Sequence, residues 1–190
     1  MLFFVIFLPF FVLGALSWVA SITASLLAGA ATALALIVFE RVRGRSAKIL
    51  NIATAALFGG LGLAMLLLDG GLTPATIRVS ISGGLLLVAL TSIALRFPFT
   101  LQYAREEVTA EVRAMPDFLR TNYILTWAWS FAFVLMLVAD IASVWWPSVP
   151  LWIGVAATFA ARNAAVQFTK WYTQRARDRA RAHAEAGTPV

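Results

Sequence analysis

The chain has 190 residues, of which 61% carry apolar side chains and 13% are charged, with a formal net charge of +6. A soluble chain averages about 45–50% apolar and about 25% charged residues, so this one lacks the charge for an ordinary wetted surface. It contains no cysteine, which excludes a disulfide scaffold and any Cys-ligated zinc or iron–sulfur centre; its one histidine, His183, stands in a charged tail, so no His-rich metal cage can form within one chain. The composition is that of an integral membrane protein.

A helix needs about 20 apolar residues to cross about 30 Å of hydrocarbon. Six runs approach that length, at 2–19, 22–39, 49–68, 77–95, 121–139 and 149–168. The expected fold is therefore all-α, a polytopic membrane bundle of six transmembrane helices in a single domain over 1–169, with a basic tail over 170–190. The first run lacks a basic n-region and is too apolar for too long to read as a cleaved signal, so it is taken as a span. A tight turn at Ala20 and Ser21 makes the first two runs an antiparallel pair. Arg78, Ser80, Ser82, Gly83, Gly84, Thr91 and Ser92 dilute the fourth run, which suits a helix packed inside the bundle better than one facing lipid.

Between the fourth and fifth runs, Leu101, Ala104, Val108, Val112 and Met115 recur at steps of three and four and define one apolar helical face. Pro98 precedes this stretch and Pro116 stops it. The expectation is a short cytoplasmic amphipathic helix, lying in the headgroup plane or packed beneath the bundle as a lid.

Basic residues set the orientation. Arg41, Arg43, Arg45 and Lys48 fall in the loop after the second run, and Arg96, Arg105, Arg113 and Arg120 between the fourth and fifth. Lys170, Arg175, Arg177, Arg179 and Arg181 lie in the tail, which leaves only Arg78 and Arg162 elsewhere. Six alternating spans then place both termini in the cytoplasm. Trp18, Trp145, Trp146 and Trp152 fall at the outer boundary and Tyr103, Trp171 and Tyr172 at the inner one, whereas Trp127 and Trp129 are expected between helices. Arginines near an anionic leaflet contribute about 1 kcal/mol each, so the tail reads as a partner for anionic lipid headgroups. No aromatic stacking platform accompanies it, and a nucleic-acid partner is not expected.

Ionisable groups within a span cost at least about 2.5–3.5 kcal/mol at the bilayer centre and are candidates for a site. Arg162 and Asn163 lie in the sixth run; Asp69 and Asp140 close the third and fifth on the outer side, and Arg78 opens the fourth beside them. An Asp69–Arg78 or Asp140–Arg78 pair is possible. Gly29, Gly59, Gly60, Gly62, Gly83 and Gly84 are the expected helix-packing positions, within the bundle or at a seam between two copies. No phosphate-binding Gly loop, HExxH or Ser/His/Asp set can be assembled, so neither an enzyme nor a cofactor or metal is expected.

Leu8-Pro9-Phe10-Phe11 in the first run, Leu57-Phe58-Gly59-Gly60-Leu61-Gly62-Leu63 leading to Asp69, the Pro98-Phe99-Thr100-Leu101 segment, and Trp129, Phe131 and Phe133 in the fifth run follow one another in a familiar order. In this layout, over most of its length, the chain resembles the intracellular septation protein A family of bacterial inner-membrane proteins. It departs from that pattern at Asp140, where an Asn would stand, and at Thr126. The resemblance implies an inner-membrane protein of envelope maintenance or division, acting through other membrane proteins, with no catalytic residues to carry over. The expected function is thus non-enzymatic, through protein and lipid contacts including self-association. A small transporter or channel, or an accessory subunit of a larger membrane complex, are the alternatives.

Overall fold

Two helices of this chain begin at a short polar side chain that accepts one of the first orphan backbone N–H groups, and a proline, which has no N–H to leave unpaired, opens others. The computed structural model describes residues 7–68, 71–146 and 151–186, with side chains described except at 116, 151 and 180–186. Within them the elements are α1 (Leu8–Leu16), α2 (Ile22–Val42), α3 (Ile49–Leu67), α4 (Pro74–Ala94), α5 (Phe99–Glu107), α6 (Ala110–Ala114), α7 (Pro116–Trp145) and α8 (Leu151–Ala186). All described elements are helical. Ser21 caps α2 by accepting the Ala24 N–H at 3.2 Å, and Thr73 caps α4 from Thr76 at 3.1 Å, with Pro74 opening the helix. Gly44 ends α2 in the left-handed region at φ +70°, with the Gly44 and Arg45 N–H groups bonding back to Arg41 and Glu40. Arg96 closes α4 in the same way at φ 57°, although a side chain there costs about 1–2 kcal/mol.

Four helices, Ile22–Val42, Ile49–Leu67, Pro74–Ala94 and Asp117–Trp145, are long and apolar enough to cross a membrane. The described part of the first run, α1, is 9 residues long, or about 13 Å, which alone does not cross. The last run continues without a break into the basic tail as a 36-residue helix whose apolar half carries Arg162 and Asn163. The helices α2 and α3 pack most extensively on one another, α1 lies along α2, and α7 packs against both α4 and α8. The most buried of the four candidate spans is α7. The fourth run was expected to be the interior helix; α4 instead buries one stripe, including Ser82, Leu85, Ala89 and Ser92, and exposes Leu87 and Leu90. One core cluster joins Leu26, Ala30, Phe58, Met65 and Ile77. A second gathers Leu50, Leu85, Phe99, Trp129, Phe133 and Ala165 around α7.

The single amphipathic helix expected through Leu101 and Met115 is not formed. The segment is two short helices, α5 and α6, broken at Val108 and Thr109, whose backbones are extended. Two adjacent β-branched residues disfavour the helix there, and Arg113 holds the freed Val108 carbonyl with its Nε at 3.2 Å and an Nη at 3.1 Å. Beneath the bundle, α5 packs against α7. It also reaches two other helix ends. Ser92 Oγ accepts the Phe99 N–H at 3.1 Å while donating to the Ala89 carbonyl, and Gln102 Oε1 accepts the Ile49 N–H at the start of α3 at 2.8 Å. Thr100 Oγ1 donates to the Asn122 carbonyl and shares a hydrogen bond with Thr126 Oγ1 in α7.

The aromatic residues divide differently from the expectation in two places. Trp18, Trp145, Trp146, Trp152 and Trp171 are exposed, but Tyr103, expected at the inner boundary, is buried. Trp129 is buried and donates to Thr169 at 3.1 Å, whereas Trp127 is exposed on the outside of α7.

The expected packing glycines also separate. A Cβ at Gly29 would lie 2.7 Å from the fully buried Phe58 ring and 3.2 Å from the Pro9 carbonyl oxygen. At Gly62 and Gly84 it would press on Leu27 and Leu57, flexible side chains that can yield. Gly59 and Gly83 have ordinary contacts, and nothing lies within 4 Å at Gly60. Gly29→Ala should therefore destabilise the protein by about 1–3 kcal/mol through overpacking. Gly60→Ala should leave stability unchanged or raise it. Thermal unfolding of the two variants in the same detergent measures the difference.

Candidate functional site

Residues four apart on a helix share a face, and Arg78 and Ser82 so placed on α4 meet Asp140 and Ser143 on α7. Asp140 is 6% exposed. Its Oδ2 accepts the Ser82 hydroxyl at 2.6 Å, and Arg78 Nε stands 3.6 Å from Oδ1. Arg78 also donates through Nη2 to Ser143 Oγ at 3.0 Å, and Ser143 donates in turn to the Asp140 carbonyl. The carboxylate is thus neutralised by one guanidinium and held by a second donor, the arrangement that a charge removed from water requires.

This pair forms one end of a half-open cavity of about 240 Å³ lined from α1, α3, α4, α7 and α8. Its walls are largely apolar, with Leu85, Phe133, Met136 and Val155 among them. Arg162 lines the same cavity, eight residues along α8 from Gly154, or about 12 Å down its axis. The Arg162 guanidinium lies 4.6 Å from the Phe159 ring centroid and 5.5 Å from that of Phe7. Among the described residues no carboxylate is within ion-pair distance of it. Aromatic faces offset a cation's desolvation by about 0.5–2 kcal/mol without neutralising it. The cavity therefore holds two guanidinium groups against one carboxylate.

Of the residues singled out in the sequence, Arg78, Asp140 and Arg162 come together here. Asn163 is exposed and does not line the cavity, and Asp69 lies outside the described residues. Ser82 and Ser143 were not anticipated as partners of the charges, although a serine one turn from an intramembrane charge is the signal that would have found them. Among the described residues no group of three His, Asp or Glu side chains could hold a metal ion.

A second polar cluster, whose lysine the sequence offered only as an orientation signal, sits where α5 meets the start of α3. Lys48 is 2% exposed and forms an ion pair with Glu106, with Ser46 bonding to both. The Lys48 ammonium also lies 5.6 Å from the centroid of the buried Tyr103 ring. Burial pushes the Tyr103 phenol up, and the negative charges of Glu40 and Glu106 push it further, so it stays protonated. Burial also works to raise the Glu106 carboxyl, but the Lys48 hydrogen bond and charge, with Ser46, outweigh it and hold the group below its ordinary value. Nothing in a run of basic loop residues distinguishes Lys48 from Arg41 or Arg43; only its partner on α5 does.

Comparison with protein-family models, curated proteins and solved structures found no match.

Two outcomes are expected from these clusters. Replacing Arg78 by Met and Asp140 by Leu, singly and together, should give a coupling energy of about 1–3 kcal/mol in unfolding measurements, because each charge buried without the other is costly. Glu106 has a depressed folded-state value, so its contribution is present above the ordinary carboxylate value of 4.5 and is lost as pH falls through the lower folded one. Protection of the α5 amides from hydrogen exchange, corrected for intrinsic rates, should decline in that acid window, and Glu106→Gln should remove the dependence.

Proposed function

We propose that this is a non-enzymatic multi-pass protein of the bacterial cytoplasmic membrane, acting through lipid and protein contacts, and that its cavity holds an anionic amphiphile. The observation that carries this reading is Arg162, a guanidinium in an apolar-walled cavity with aromatic faces but, among the described residues, no carboxylate beside it. A carboxylate or phosphate ester would complete its charge, and an alkyl chain would suit the walls formed by Leu85, Phe133, Met136 and Val155. In this reading six helices cross, α1 and the apolar half of α8 included, both termini are cytoplasmic, and α5 and α6 form a cytoplasmic lid. The positive residues after α2 and α4 and in the tail half of α8 support that orientation. A role in envelope maintenance or division, as in the septation protein A family that the chain resembles, is compatible with such a lipid-contacting protein.

A second reading is favoured by the same cavity. Because it extends along α8 from Gly154 to Arg162, it could pass an anion as well as hold one, as a small transporter would.

The test uses the purified protein reconstituted in neutral-lipid nanodiscs, titrated with a fluorescent fatty acid and, separately, with its uncharged methyl ester. The acid should bind at least about tenfold more tightly than the ester, as the loss of one charge-assisted hydrogen bond implies. Arg162→Gln should erase the difference and Arg162→Lys should retain part of it. Equal binding of acid and ester by the unaltered protein would defeat the proposal. Accumulation of the acid inside proteoliposomes would favour the transport reading. Reporter fusions after residues 45 and 110 should both read out cytoplasm.

A further inference from the structure

A second cavity, of about 320 Å³, opens at the cytoplasmic side between the α5–α6 break, the first turns of α7 and the tail half of α8. The apolar face anticipated for one amphipathic helix is here: Ala104, Val108, Val112 and Met115 line this space. Breaking the helix at Val108 folds that face around a hollow.

The charges around the hollow are mixed. Glu107 and Asp117 line it from α5 and α7, and Arg177 from α8. Arg177 differs from its neighbours in the tail, since Arg175 lies 4.7 Å over the Trp171 ring and Arg179 5.8 Å over that of Tyr172. The wall also contains Asn122, which is 1% exposed. Its Nδ2 donates to the Phe118 carbonyl at 2.8 Å, which fixes the amide's orientation, and its buried Oδ1 has no donor among the described residues. An acceptor so buried lacks a hydrogen bond that a ligand's N–H could supply. Trp171, exposed two residues before Thr173 of the cavity wall, puts the opening at the level of the headgroups in the six-span reading.

Two carboxylates and an orphan acceptor call for an N–H-bearing cation. One arginine calls for an anion, and the apolar lining calls for hydrocarbon attached to both. We propose that this cavity binds the headgroup of an aminophospholipid of the inner leaflet, a primary ammonium joined through a short linker to a phosphodiester. The ammonium faces Glu107, Asp117 and Asn122, the phosphate faces Arg177, and the upper acyl chain lies on Val108, Val112 and Met115. The inference rests on the membrane placement proposed above but not on the Arg162 cavity.

Three headgroups separate the elements of this chemistry. Phosphatidylethanolamine has the ammonium N–H donors, phosphatidylcholine keeps the positive charge but has none, and phosphatidylglycerol has the phosphate without a cation. The purified full chain, placed in nanodiscs containing equal amounts of all three, is released gently and its retained lipids are counted by native mass spectrometry. Retention of phosphatidylethanolamine about tenfold above phosphatidylcholine is expected, as for loss of one charge-assisted hydrogen bond. Glu107→Gln with Asp117→Asn, both at exposed positions, should reduce that preference severalfold without disturbing the fold. Asn122→Leu should do so as well if it folds. Arg162→Gln should leave the preference intact, which separates failure here from failure at the membrane cavity. Equal retention of the three lipids, or a preference that survives the double carboxylate substitution, overturns the proposal.

Discussion

One end of the bundle depends on the hydrogen bonds between α5 and the ends of α3 and α4. A helix leaves its first N–H groups without intrahelical partners, and burying them unpaired costs about 1–3 kcal/mol each. The start of α3 has Lys48 in the cap position, which offers no side-chain acceptor of its own, and Gln102 of α5 supplies it. The start of α5 follows Pro98, and Ser92 from the end of α4 accepts there. Thr100 then ties α5 to α7, and the Lys48–Glu106 ion pair closes the arrangement against α3. One nine-residue helix thereby fixes the relative positions of α3, α4 and α7.

That fixation has a consequence deeper in the bundle. Arg78 and Ser82 can meet Asp140 only if α4 and α7 keep their rotation and their height relative to one another. A shift of one residue turns a helix by about 100° and would carry Arg78 off the Asp140 face. Thr100, in the first turn of α5 just past the short connection from α4, holds Thr126 and the Asn122 carbonyl in α7, and so sets the register at the opposite end from the ion pair. The cavity beside the pair persists because its walls come from helices already held elsewhere. The rings of Phe7, just before α1, and of Phe159 in α8 lean on Arg162 instead of filling the space.

Much of the helical layout was legible in the chain because the bilayer demands long apolar runs. The starts of α2 and α3 fall where those runs begin, and α4 starts slightly earlier because Thr73 and Pro74 form a better cap than the first apolar residue. That Arg78 could pair with Asp69 or Asp140 was legible from their shared depth, and the structure sets Asp140 beside it. Which of the six glycines bears the tightest contact could not. Gly29 and Gly60 are alike as letters, and only the arrival of Phe58 and Pro9 against Gly29 tells them apart. The division of the amphipathic stretch into α5 and α6 was likewise hidden, since its apolar spacing continues through Val108 while its backbone does not.

Composition and spacing by themselves determined that the protein is helical, that several helices are apolar enough to cross a membrane, and where their charges are scarce. Those properties follow from each segment's own contact with water or hydrocarbon, which is a local matter. Tertiary structure alone decided that Lys48 is buried against Glu106 while the neighbouring arginines are exposed, that Arg162 lies on aromatic faces in a cavity, and that Asn122 keeps an acceptor unpaired. The first two depend on residues distant in the chain, Glu106 for Lys48 and Phe7 for Arg162, and the third on no described neighbour supplying a donor. A contact between residues forty or more positions apart leaves no mark in the periodicity of either segment, so only the packed bundle could reveal it.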